Sequence, residues 1–428
     1  MSVYEDFFKG KRVTVLGLGL LGRAVGDAEF IAQCGAEVTM TGKKSAEYCA
    51  KAAERLKKYP NIAFHLGGHV REDFTPSASG PDMVIKAAGV RLDSPEIAAA
   101  REAGVPVYMS TALFAKWARE AGATIVGITG TRGKSTVTQM IYHVLSAVGK
   151  NAYLGGNVRG VSTLALCPKV TSSDIYVLEL DSWQLQGFGD LKVSPQVAVF
   201  TNLMADHENY YQEKQQYFLD KANIFLNQND GDVLVCGSGV EKQIGDAHPP
   251  VAPVVPAPLP GEWSLRVVGE HNRENAALAA QALRALGVGE DQIHAGLESF
   301  EGVEGRLQLV REVRGVQVYN DNNSTTPEAT SAALKALPRG KIILIMGGAD
   351  KGLDMSQCLY DVAQSCKRVI LLPGTGTDKI VPFMQDYSVF DSLETAVREA
   401  LASASVGDVI LFSPAFASFG MFKNEYDR

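Results

Sequence analysis

Residues 124–136 read TIVGITGTRGKST: an apolar, β-branched run, a loop carrying Gly130 and Gly133, and then a helical pattern that continues to Val148. A strand that turns through glycines straight into a helix gathers backbone N–H groups at one helix N-terminus. Here Lys134 and the hydroxyls of Ser135 and Thr136 join them. A triphosphate with its Mg²⁺ needs that set: amides and an ammonium for phosphate oxygens, a hydroxyl for the metal. The general P-loop pattern asks for glycine five positions before Gly133, where Ile128 stands, so this loop is a variant. A strand–loop–helix unit of this kind belongs to a parallel α/β sheet.

The rest of the chain repeats that grammar. At about 150 residues per domain, 428 residues predict roughly three domains. Residues 12–22, RVTVLGLGLLG, read as a strand, a glycine turn and a helix, and further strands are expected at Glu37–Thr41, Asp82–Ala87 and Val105–Met109. Leu113–Ala121 reads as a helix. The second stretch adds strands at Ile175–Leu180, Val197–Thr201 and Val233–Cys236, with a helical segment around Gln212–Asn227. Residues 248–261, HPPVAPVVPAPLPG, hold six prolines and predict a stiff extended connector ahead of a helix in HNRENAALAAQALRALG. From Gly302 onward, strands at Val316–Asn320, Lys341–Met346, Arg368–Leu372 and Asp408–Phe412 each run into a polar loop. The expectation is an α/β protein of three domains. They are a Rossmann-like domain over 1–112, a central P-loop ATPase-like domain over 113–302 and a Rossmann-like domain over 303–428.

Composition excludes several classes of function. Basic residues number 41 against 48 acidic, for a net charge of −7 without any basic block. Neither nucleic acid nor an anionic membrane is an expected partner. No apolar run reaches the roughly 18 residues needed to span a bilayer. The start, MSVYEDFFKGKR, lacks the apolar core of a signal peptide. Six scattered cysteines without a C-x-x-C pair read as free thiols, which fits a cytoplasmic protein.

Several loops at expected strand ends carry chemistry. Gly17-Leu18-Gly19-Leu20-Leu21-Gly22 satisfies G-x-G-x-x-G, which serves a pyrophosphate or a tight packing turn equally well. The second strand closes on Thr41-Gly42-Lys43-Lys44 without the acid a nicotinamide dinucleotide needs for its ribose, so another nucleotide is expected. Glu179 ends its strand where a P-loop enzyme keeps a Mg²⁺-binding acid, with Asp181 as the competing candidate. His207 reads as a loop residue or a ligand, and Lys221 alone reads as part of a solvated helix face. Asp321, in NDNNSTTP, closes an Asx/Thr turn or accepts from a ribose. Ala349-Asp350-Lys351-Gly352 and Ser413–Phe419 occupy equivalent strand ends, and together the three loops favour a site.

Taken together, TGTxGKST, the strand ending at Glu179, His207, the run GxHNxxNxxAA from Gly269 to Ala280 and the NDxxxTxPEAT segment resemble the Mur ligases. The resemblance extends over nearly the whole chain. Residues 215–221 and 413–424 are similar to the glutamate-adding branch. It implies an ATP-dependent amide ligase of peptidoglycan synthesis that joins D-glutamate to UDP-N-acetylmuramoyl-L-alanine through an acyl phosphate. Ligation of another amino acid, L-glutamate included, and nucleotide binding without turnover are the alternatives.

By the same resemblance, Gly130, Thr131, Arg132, Gly133, Lys134, Ser135, Thr136, Asn272, Arg306 and Asp321 bind ATP. Gly17, Gly19, Leu20, Leu21, Thr41, Lys43, Gly89, Asn157 and Ser182 bind the UDP substrate. Thr325, Lys351, Ser418 and Phe419 hold the amino acid. Lys134, Glu179, His207 and Lys221 form the catalytic group. Ser135, Glu179, His207 and a carbamylated Lys221 are implied ligands of two Mg²⁺ ions. A monomer is implied. Departures from the family pattern are Arg132 for asparagine, Asp181 for serine, Ala87-Ala88-Gly89 for Ser-Pro-Gly, Asn323 for lysine and Glu425 for phenylalanine.

Overall fold

The computed structural model describes residues 2–17, 22–78, 80–158, 160–204, 210–211, 213–422 and 427–428. Its strands form three sheets. The first contains β1 (Arg12–Leu16), β2 (Glu37–Gly42), β3 (Ile62–Leu66), β4 (Met83–Lys86) and β5 (Val107–Tyr108), all parallel, in the order 3-2-1-4-5. The second contains β6 (Thr124–Thr129), β7 (Ala152–Gly156), β8 (Ile175–Glu179), β9 (Val197–Phe200), β10 (Val233–Cys236) and β11 (Pro253–Val254). These are also all parallel, in the order 11-10-9-6-8-7. The third contains β12 (Gln308–Val313), β13 (Val316–Asn320), β14 (Ile342–Gly347), β15 (Cys366–Leu372), β16 (Ser388–Val389) and β17 (Val409–Phe412), in the order 12-13-17-14-15-16.

The central strands are continuous apolar runs because helices cover both of their faces. β8, β9, β14 and β17 are buried at every position. Parallel strands need crossovers, and helices such as Arg23–Gln33, Lys134–Ala147 and Ser356–Ser365 supply them. The helix Ser110–Glu120 buries Phe114 and Trp117, and a continuous core runs from β1 and β2 through it to β6 and β8.

Where the structure adds to the sequence reading, it does so at sheet edges. β3, β7, β11 and β16 are edge strands, and β11 and β16 are two residues each, too short to show a periodic pattern. β11 falls inside the proline-rich connector, extended as expected and paired with Leu234 and Val235. β12 runs antiparallel to β13 through a two-residue turn, in which Arg314 and Gly315 have φ of 53° and 75°. That combination is the hairpin turn whose twist suits the flanking strands. The third sheet is therefore mixed at one edge.

The chain divides into two compact units. One comprises Met1–Ala257 with Leu278–Gly289, the other Pro258–Ala277 with Glu290–Arg428. The first two sheets belong to the first unit and the third sheet to the second. All six cysteines are free, and five are buried. Among the described residues no helix is long and apolar enough to cross a membrane.

Candidate active site

In the first unit the glycine loop sits between β6 and the helix Lys134–Ala147, with Gly133 in the left-handed region at φ 83° as the residue before the helix. It is fastened to the segment that follows β9. Thr131 N donates to Asn202 O at 2.9 Å and Arg132 N to Asn202 Oδ1 at 2.9 Å. Arg132 O accepts from Thr201 Oγ1 at 2.5 Å and from Asn202 Nδ2 at 3.2 Å. Gly130, at φ 136°, packs so closely on Thr201 that a Cβ would overlap its hydroxyl. With Thr131 and Arg132 so engaged, the amides best placed for an anion are those of Gly133, Lys134, Ser135 and Thr136. They lie at the helix start, where no intrahelical carbonyl is within reach.

Two lysines converge on one carbonyl of this loop. Lys134 Nζ donates to Gly130 O and Thr131 O, each at 3.0 Å. Lys221 Nζ donates to the same Gly130 O at 2.9 Å and to Thr129 Oγ1 at 3.3 Å. Lys221 lies on the helix Lys214–Ala222, is 1% exposed and has its ammonium 4.7 Å from the centre of the Tyr217 ring. The solvated face open to a lone lysine in the sequence is therefore excluded. Tertiary packing, invisible in the local pattern, carries it to the loop.

The two acids at the end of β8 have separate roles. Asp181 caps the helix Ser182–Asp190: its Oδ1 accepts from Gln184 N at 2.7 Å, and Gln184 Oε1 accepts from Asp181 N at 3.2 Å. Glu179 is buried at the strand's last position, in register with Ile128 of β6, and its Oε1 accepts from Asn157 Nδ2 at 3.5 Å. Glu179 and Ser135 offer hard oxygen donors of the kind Mg²⁺ takes, so the described residues fit that ion. Ser182 is buried at the first position of the helix that Asp181 caps.

At the C-terminal ends of β1, β2 and β4, a cavity of about 340 Å³ is lined by Gly17, Lys43, His69, Gly89, Arg91 and Glu96, among others. Gly17, at φ 101°, lies where a Cβ would come within 2.9 Å of Ala87 Cβ. Lys86, 2% exposed, donates to the carbonyls of Ala87, Ala88 and Val90 at 3.3, 3.3 and 2.7 Å and so fixes this loop's shape. Burial lowers its ammonium to about 8, with Asp181, Asp190 and Asp220 pulling the other way. A second cavity, of about 430 Å³, is lined by Arg91, Asp93, Gln186, Tyr210, Tyr211 and Asp220, among others. Here the Arg91 guanidinium lies 4.6 Å from the Tyr210 ring centre and donates to Asp93 at 2.7 Å through Nε.

The second unit gathers its own set. Asp321, 4% exposed, accepts from Leu307 N through Oδ1 at 2.9 Å and from Ser413 Oγ through Oδ2 at 2.8 Å. It thereby ties the end of β13 to the end of β17 and to the residue after Arg306. Burial raises its carboxyl to about 6 against the pull of these partners. Lys351 Nζ donates to Thr325 Oγ1 at 2.8 Å, which brings together two of the residues expected at the amino acid. An isolated bridge pairs Ala349 with Ala417, beside buried Ser418. Phe419 is 60% exposed. Asn272 Nδ2 donates to Val268 O at 2.8 Å, and Arg306 is exposed.

Gly19, Leu20, Leu21, His207 and Glu425 lie outside the described residues. The sequence reading missed Asn202, Lys86, His69 and Glu96. Each is a single polar residue in a loop, at a strand end or in a first helical turn, and the only sequence signal was its position on the rim of a sheet.

These features define a P-loop protein with a buried lysine added to its phosphate loop. The family model for the Mur ligase middle domain matches residues 128–247, and that for the Mur ligase glutamate ligase domain matches residues 305–416. A UDP-N-acetylmuramoylalanine–D-glutamate ligase of Roseiflexus sp. is 34% identical over 98% of this chain and 97% of its own. The enzyme of the same description from Streptococcus thermophilus is 34% identical over 97% of this chain and 95% of its own. In fold, the chain matches the crystal structure of a UDP-N-acetylmuramate–alanine ligase from Thermotoga maritima. The TM-score is 0.58 at 20% identity, over 95% of this chain and 96% of the other. The chain belongs to the Mur ligase family.

Proposed function

We propose that the chain is an ATP-dependent ligase that joins D-glutamate to the free carboxylate of UDP-N-acetylmuramoyl-L-alanine in peptidoglycan precursor synthesis. The observation that carries this is the buried Lys221 held 2.9 Å from the P-loop carbonyl of Gly130, an addition that nucleotide binding alone does not require. In the reaction, a carboxylate oxygen takes the γ-phosphoryl group of ATP, giving an acyl phosphate and ADP. The amine of glutamate then attacks the acyl carbon, and the tetrahedral intermediate expels phosphate as the amide forms.

The residues divide this work. The helix-start amides and Lys134 hold the phosphates and offset the charge that develops in transfer. Ser135, Glu179 and His207 are the proposed Mg²⁺ ligands, and bound Mg²⁺ would neutralise phosphate charge. As a carbamate, Lys221 would present oxygens to a cation where its ammonium repels one. Asn272, Arg306 and Asp321 are assigned to ATP. Asn157 and Ser182 are assigned to the muramoyl side. Thr325, Lys351, Ser418 and Phe419 are assigned to glutamate, and a cation with hydroxyls suits a dicarboxylate. The proposed domains are 1–112 for the uridine nucleotide, 113–302 for ATP and 303–428 for the amino acid, working as a cytoplasmic monomer.

Phosphate release with UDP-N-acetylmuramoyl-L-alanine and a panel of amino acids tests the proposal. Release with D-glutamate alone is expected. Release only with another amine, or none, refutes it.

A further inference from the structure

Two side chains of the helix Arg23–Gln33, which leaves the first glycine loop, reach across to the segment that follows β7. Arg23 Nη1 donates to Gly156 O at 3.1 Å, and Asp27 Oδ1 accepts from Ser162 Oγ at 2.6 Å. Their spacing of four residues puts both on one face of the helix. Gly26 allows the close approach, for a Cβ there would come within 2.7 Å of Ser162 Cβ. Gly156 N donates to Thr163 Oγ1 at 2.8 Å, which draws the two ends of the segment together. Residues 156 and 162 are thus gripped from the same helix, one turn apart.

Between these grips the segment meets Glu179. Asn157 N donates to Glu179 O at 2.6 Å, and Asn157 Nδ2 donates to Glu179 Oε1 at 3.5 Å. Gly156, at φ 79°, lies so near that a Cβ would stand 2.1 Å from Glu179 O. A shift of the segment therefore moves Asn157 relative to Glu179. Asp27 is 6% exposed, and burial raises its carboxyl while the hydroxyls of Ser162 and Ser110 and the charge of Arg23 pull it down. Burying an acid costs free energy that an apolar contact between two elements does not. What the acid adds is direction. Ser162 Oγ accepts from Ala165 N at 3.1 Å, so its proton is left for Asp27 and the hydroxyl has one orientation.

We infer that Asp27, assisted by Arg23, is a positioning residue for ligation: it holds the segment 156–162 on the helix of the first sheet and so keeps Asn157 against Glu179. This rests on the ligase reading, in which Asn157 serves the muramoyl side and Glu179 the Mg²⁺. The helix that carries Asp27 starts directly after Gly22, the last glycine of the loop assigned to the UDP substrate. One rigid element therefore spaces the two parts of that substrate's site. The phosphate loop is fastened separately, through Thr201 and Asn202. Loosening Asp27 should for that reason be felt by the muramoyl substrate and hardly by ATP.

Steady-state ligation by the full chain tests this, with UDP-N-acetylmuramoyl-L-alanine varied at saturating ATP and D-glutamate. ATP binding by calorimetry reports that each variant is folded. Asp27→Leu, similar in size and unable to accept from Ser162, is expected to lower kcat/KM for the UDP substrate at least about tenfold, the loss of one hydrogen bond to a charged group. Its affinity for ATP should stay within about threefold of wild type. Asp27→Asn keeps an acceptor for Ser162 Oγ and should restore kcat/KM to within about threefold. A double-mutant cycle supplies the readout that a merely structural role would not move. Asn157→Ala should cost at least about fivefold less in Asp27→Leu than in wild-type protein, because Asn157 is already displaced there. Additive effects of the two substitutions, or wild-type kcat/KM in Asp27→Leu, overturn the inference and leave the ligase reading standing. If Asp27→Leu fails to bind ATP, Ser162→Ala cuts the same bond at a half-buried residue and enters the same cycle, where additivity again refutes and coupling supports. Wild-type protein that joins no D-glutamate removes the ligase reading and the inference with it.

Discussion

Asp321→Asn is expected to stabilise the second unit at neutral pH and to lose that advantage in acid. The rise of the Asp321 carboxyl from its ordinary 3.8 to about 6 corresponds to about 3 kcal/mol between its protonated and ionised forms. Its folded value is raised, so the folded protein holds this proton more tightly than the unfolded chain does. Stability therefore falls as pH rises from about 4 to about 6, and the cost of the buried anion is present in full above that window. A neutral carboxamide avoids that cost. It would keep the bond from Leu307 N, and its Nδ2 would donate to Ser413 Oγ, which has Thr330 Oγ1 at 2.9 Å as an outlet for its own proton. The expected gain approaches about 3 kcal/mol near pH 7.5 and vanishes near pH 4. Because a chain of two units need not unfold in one step, exchange of the Leu307 amide at both pH values is the appropriate readout. A variant equally stable or unstable relative to wild type at the two pH values would refute the reasoning. ATP affinity should fall in the same variant, a gain in stability set against a loss of function.

Three further outcomes are expected. Lys134→Ala should lose ATP binding, read by calorimetry, because it removes the cation at the phosphate cradle. Lys221→Ala should abolish ligation yet bind ATP nearly as wild type, since Gly130 O keeps Lys134 as a donor; wild-type-like turnover would remove Lys221 from the catalytic group. Lys351→Met should raise the KM for D-glutamate by at least about tenfold with the KM for ATP little changed, as expected for loss of one charge-assisted contact to a carboxylate.

How much of this was legible beforehand depended on the distance over which each signal acts. The glycine loop at 130–133 could be read because strand, turn and helix are contiguous in sequence. β8 and β9 were equally clear because burial on both faces writes an unbroken apolar run. β12 was not, for its residues are mostly exposed and show no alternation, leaving only the Arg314-Gly315 turn as a signal. At the site, Glu179 and Lys351 could be placed from the ends of their strands. The burial of Lys221 could not, because it depends on a helix some ninety residues from the loop it reaches. Nor could Glu96, which enters its cavity from a helix outside the motif, or Asn202, whose side chain and carbonyl engage two successive loop amides.

The fit between Gly130 and Thr201 restricts the routes by which this loop can change. The hydroxyl that occupies the missing Cβ's place is also the donor that anchors Arg132 O. A side chain at 130 therefore needs position 201 to shrink first, and shrinking 201 releases the loop before anything is gained. Each single step passes through a weakened protein, so the pair behaves as one mutational unit. A library that varies one position at a time would score both as intolerant and would miss any workable combination of the two.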